Sequence, residues 1–163
     1  MTTPQKIIAT ARAMVGVRFQ HQGRDATHGL DCLGLLLVVA EQLNLRFEGI
    51  RPMALDVRNY RTRPDTKFLY AQLSRWLQPI ATDEVKIADI VLLEIHGLPQ
   101  HLALLSDYPV VGEMGMIHAH AIAHRVVEHR YDESWRKATI AAFRLPQITP
   151  FNETGLGRDD TYF

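Results

Sequence analysis

Apolar residues recur at helical spacing in three stretches of the chain and in short strand-like runs through its second half. Ile7, Ile8, Ala11, Met14 and Val15 share one helical face behind Thr3 and Pro4, a cap and first-turn pair, and predict a first helix over residues 4–15 closed by Gly16. Residues 20–29, polar and carrying two glycines and two histidines, read as an irregular loop. Asp31 can cap a second helix from Cys32 to about Leu43, apolar nearly all round and so central in the core, with Asn44 closing it. Residues 46–63 mix charges with Gly49 and Pro52 and read as an irregular insertion with no function assigned. Phe68, Leu69, Leu73, Trp76 and Leu77 predict a third helix over 65–77.

From residue 85 the texture changes. Apolar runs at 87–95, 101–105, 114–120, 125–129 and 139–145, broken by turn residues, predict a meander of strands. Helices followed by strands make an α+β domain, with N-terminal helices packed on a C-terminal antiparallel sheet. Residues 1–148 form one domain on this reading, and 149–163, without periodicity, form an exposed arm.

Composition narrows the function. The chain has 163 residues, 47% hydrophobic and 22% charged, which suits a single folded core and not disorder. Lys plus Arg equals Asp plus Glu at 18 each, so no global field favours a nucleic acid. The longest apolar run, residues 33–40, is far short of the roughly 20 residues that cross a bilayer. Residues 1–15 lack the basic start and apolar centre of a signal peptide, so the expected origin is cytoplasmic, or export by a route that needs no such signal.

The single cysteine, Cys32, leaves no internal disulfide and no zinc site built from several thiolates. It is a buried thiol, a reactive thiol, or one ligand of a mixed site. A nucleophilic cysteine acts as a thiolate, and the first turn of a helix favours that charge while offering an N–H to a developing oxyanion. His101 opens one strand and His118 ends another, so a base and a group that orients it can meet at the cysteine. His118, His120 and His124, with Cys32 or His101, are also a conceivable zinc donor set, though no rigid supporting partners are evident. His21, His28, His96 and His129 read as surface or loop residues.

The segment 16–24 (GVRFQHQGR) followed by Asp31-Cys32-Leu33-Gly34-Leu35 resembles the N-terminal half of NlpC-type, papain-like cell-wall peptidases, above all the branch encoded in phage tail modules and gene transfer agents. Ile87-Ala88-Asp89-Ile90-Val91, His101-Leu102-Ala103-Leu104, Met116-Ile117-His118-Ala119 and the ending 141–146 resemble that family's later strands, in the same order. The resemblance implies Cys32 as nucleophile, His101 as base, His118 as the residue orienting His101, and Asp31 and Phe19 as substrate-binding positions. It implies hydrolysis of γ-D-glutamyl-diamino acid bonds in peptidoglycan stem peptides, through a thioester and without metal or other cofactor, with phage tail proteins as partners. Phe19 stands where the family usually has Tyr, and Ala103 where it has Gly, and these departures leave a second reading open, a catalytically weak or inactive phage tail assembly protein on the same fold.

Overall fold

The structure is a computed structural model that describes residues 2–57, 66–94, 100–108, 110 and 112–146. The first helix, α1, spans Pro4–Arg12: the Thr3 hydroxyl accepts the Lys6 amide, Pro4 occupies the first turn, and Ile7, Ile8 and Ala11 are buried. It ends three residues before the expected position. Gly16 and Val17 exchange backbone hydrogen bonds with Val126, which draws this stretch off the helix axis and onto a strand.

A two-stranded hairpin follows, β1 (Arg24–Asp25) with β2 (Gly29–Leu30), and leads into the central helix α2, Cys32–Gln42. Leu35, Leu37, Val38, Val39 and Ala40 bury its length, and Asn44, in the left-handed region at φ 52°, turns the chain out of it. The insertion holds a 3-10 turn at Pro52–Leu55 that packs on α2. The third helix, α3, spans Thr66–Trp76.

One six-stranded antiparallel sheet carries the rest, in spatial order β3-β8-β4-β5-β6-β7. Strands β4 (Ile90–Leu93), β5 (His101–Ser106), β6 (Gly115–His120) and β7 (Arg125–Arg130) form the expected meander. The last strand, β8 (Thr139–Arg144), returns to pair with β4, and β3 (Gln78–Ile80), absent from the sequence reading, pairs with β8. Strands β4 and β5 are buried on both faces, which is why they read as continuous apolar runs. Ile90, Leu92, Leu102 and Leu104 face the helical layer; Val91, Leu93, Ala103 and Leu105 face a smaller core with Tyr131 and Trp135. Trp135 comes from a short helix, α4 (Glu133–Ala138), capped by Asp132 and too brief to show periodicity in the sequence.

The architecture is the expected α+β one. The C-terminal arm and His96 lie outside the described residues.

Candidate active site

Cys32 is the first residue of α2. Asp31 before it caps the helix, its Oδ1 accepting the Gly34 amide at 2.8 Å. Its Oδ2 accepts the Gln22 amide at 2.8 Å, so one carboxylate ties the preceding loop to the helix start. Gly34 lets that loop come close: a Cβ there would lie 1.9 Å from the Gly23 carbonyl oxygen. Asp31 is also paired with Arg24, 2.9 Å from Nη1 to Oδ1, and Arg24 grips Asp56 with Nε at 3.0 Å and Nη2 at 2.9 Å. All three side chains are buried. Both Asp31 oxygens are therefore engaged from within the fold.

The Cys32 sulfur receives the backbone amides of Leu33 and Leu102. Leu102 follows His101, so the start of β5 lies against the helix start. The residue keeps part of its surface exposed, but its sulfur is desolvated. Burial, followed by the charge of Asp31, pushes the thiol up to about 12, and the two amides and Arg24 only partly oppose this. The helix terminus favours a thiolate, and desolvation opposes it as the larger effect. His101, 3% exposed, is pushed down to about 4 by burial and then by His120. Burial thus favours the neutral forms of both the thiol and the imidazole.

His118 lies in β6 with its ring near-perpendicular to that of His101, centroids 5.5 Å apart, and no hydrogen bond joins the two among the described residues. Its hydrogen bond runs elsewhere, from Nε2 to Nε2 of His129 at 2.9 Å. The pairing of β5 with β6, extended from Leu104 and Ile117, sets His101 opposite His120, whose ring stacks on it at 5.6 Å. His120 Nδ1 accepts the Ala123 amide at 3.0 Å. Trp135 packs on His118 at 5.4 Å and on His129 at 5.1 Å. Burial lowers the pKa of His118 strongly, followed by the neighbouring imidazoles, and that of His120 to a lesser degree.

Cys32, His101 and His118 therefore sit on the three elements expected of them. Phe19 is half-buried, pairing through its backbone with Leu30, two positions before Cys32, and donating its amide to the His124 carbonyl. His124 takes no part in the ring cluster, and among the described residues no three His, Cys, Asp or Glu side chains are grouped to hold a metal ion. His28 is exposed, as expected, beside Asp25. His129 is not a free surface residue: it is half-buried and bonded to His118. The sequence assigns no role at the site to Arg24, Asp56, His129 or Trp135, and offers His120 only as a conceivable zinc donor. Only His120 left a signal there, two positions from His118 and hence on the same strand face.

No protein-family model and no curated protein matches the chain. Among solved structures it is similar to the NlpC/p60 domain of the peptidoglycan hydrolase SagA, with TM-score 0.59 and 19% identity over 88% of this chain and 100% of that one. It is similar to an NLP/P60 lipoprotein-like protein from Staphylococcus aureus, with TM-score 0.56 and 17% identity over 90% of this chain and 42% of that one. It is also similar to the peptidoglycan hydrolase RipB from Mycobacterium tuberculosis, with TM-score 0.51 and 18% identity over 87% of this chain and 64% of that one. The chain spans the whole of the first and less than two thirds of the other two. With its α+β layers and its six-stranded antiparallel sheet, the chain has the papain-like fold of NlpC/p60 domains.

Proposed function

We propose that the protein is a cysteine peptidase that hydrolyses peptide bonds in peptidoglycan stem peptides. The observation that carries this reading is the meeting of Cys32, at the first turn of α2, with the start of β5 through the Leu102 amide, on a fold shared with peptidoglycan hydrolase domains. His101 takes the thiol proton as the sulfur attacks the carbonyl carbon, which avoids a resting thiolate. The backbone amide of Cys32, in the first turn and without a helical partner, donates to the developing oxyanion. Imidazolium His101 then protonates the leaving amine, and water hydrolyses the thioester with His101 again as base.

The resemblance of the sequence motifs supports a γ-D-glutamyl-diamino acid bond as the target and a phage tail as the setting. Phe19, close to the helix start, is the residue we propose to contact the stem peptide, and Asp31 is proposed to hold Cys32 in place and to meet a substrate amine only where that amine displaces Arg24. Rapid acid quenching of the protein with a defined muropeptide, followed by intact mass measurement, tests the chemistry. An acyl adduct that maps to Cys32 supports it, and turnover without any adduct on Cys32 contradicts it.

The departures from the family pattern at Phe19 and Ala103 favour a second reading, a tail component that keeps the fold as an assembly part with little or no turnover. Particles that assemble and infect normally with Cys32→Ala support that reading, and loss of infection with the point variant contradicts it.

A further inference from the structure

We infer that His129 is a positioning residue: it holds His118 in the tautomer whose Nδ1 is bare, so that His118 can accept the N–H of His101. The inference deepens the peptidase reading and rests on it for the role of His101. The assignment of protons does not rest on it.

The protons follow from the partners. His129 Nδ1 lies 2.8 Å from the Arg130 carbonyl oxygen, which can only accept, so Nδ1 carries the hydrogen. In a neutral ring its Nε2 is then a lone pair. His118 Nε2 lies 2.9 Å from that atom and must be the donor. His118 is fully buried among the rings of His101, His120, His129 and Trp135, a setting that keeps it neutral, and its Nδ1 is left as an acceptor.

That Nδ1 is buried and has no hydrogen-bond partner among the described residues. A buried acceptor left without a donor destabilises the fold, so its presence beside the candidate base calls for a use. His101 can supply it. The two rings are near-perpendicular with centroids 5.5 Å apart, so a rotation of the His101 ring that brings one N–H to this acceptor leaves its other nitrogen bare, as a general base requires. The register makes the relay possible: His118 is paired with Val127, and His129, two positions on, is its diagonal neighbour on the same face of β6 and β7. Reversed polarity at His129 would place a hydrogen on His118 Nδ1 and present a donor to the base.

The test is long-range nitrogen-proton correlation spectroscopy of the full chain labelled at histidine, at a pH where the rings are neutral, on wild type, His129→Gln and His129→Lys. Glutamine can still accept at the Nε2 position, whereas lysine can only donate there. The expected result is an Nε2–H tautomer at His118 in the wild type and the glutamine variant, and Nδ1–H in the lysine variant. With a muropeptide substrate, the lysine variant then loses kcat by about 100-fold or more with KM little changed, and the glutamine variant retains most of it. An Nδ1–H tautomer at His118 in the wild type, or loss of Nε2–H in the glutamine variant, overturns the inference, and both spectra decide it even where the lysine variant does not fold. A wild type without turnover counts against the peptidase reading and leaves the tautomer result to stand by itself.

Discussion

The Arg24 guanidinium lies 2.9 Å from the Asp31 carboxylate, both side chains are buried, and the residue that follows Asp31 is the candidate nucleophile. Because Arg24 also grips Asp56, two carboxylates from distant parts of the chain share one cation at the start of α2. Removing it takes from both buried carboxylates the cation they share. Arg24→Met is expected to lower stability by about 3–5 kcal/mol. Arg24→Lys keeps the charge, loses the paired grip on Asp56 and falls between. Urea denaturation of the three proteins measures the order, and equal stability of wild type and Arg24→Met would contradict the role given to the pair.

Gly34 is required by contact, since the Gly23 carbonyl occupies the space of a side chain. Gly34→Ala forces the loop from Gln20 to Arg24 away from α2, at a cost of about 1–3 kcal/mol. Displacing that loop also loosens Asp31, which takes the Gln22 amide, so turnover should fall with stability. Thermal melting and muropeptide turnover measured together check this.

The buried thiol of Cys32 should react slowly in the resting protein. A thiol pushed up to about 12 has, near neutral pH, on the order of a thousandfold less thiolate than one at its ordinary value. Alkylation by iodoacetamide at pH 7, followed by mass spectrometry, is therefore expected to be far slower for the folded protein than for the protein in urea. Fast labelling of the folded protein at pH 6 would contradict the desolvated site.

Stability should fall in mild acid. Burial lowers the pKa of His101 from its ordinary 6.5 to about 4, and that of His118 further. Between these values the unfolded chain binds protons that the folded rings refuse, so stability is full above about pH 6.5 and declines as pH drops toward 4. His101 alone accounts for roughly 3 kcal/mol of this loss. Urea midpoints at pH 7, 5.5 and 4.5 measure it, and His101→Gln should flatten the slope.

What the sequence made legible depended on length and period. The run from Phe68 to Leu77 marked α3 to within a residue, and the apolar runs beginning at His101 and Met114 became β5 and β6, because long periodic or continuous patterns record burial directly. The Asp31-Cys32 pair was readable as a helix start because capping is local. The Arg24–Asp56 contact spans 32 residues and has no local signature, so the insertion gave no hint of its contribution to the site. His129 read as a surface residue because β7 is mostly half-buried, with a weak alternation, and because the tryptophan covering it belongs to a six-residue helix. The environment of Cys32 is legible only in part for a related reason: a helix terminus can be read from sequence, whereas desolvation depends on what packs over it.

The measurement that tests the central claim most directly is mass spectrometry of defined muropeptides incubated with the wild type and with Cys32→Ala. The account predicts cleavage at one peptide bond by the wild type and none by the variant. Equal cleavage by both proteins, or intact muropeptides after incubation with folded wild type, would contradict it.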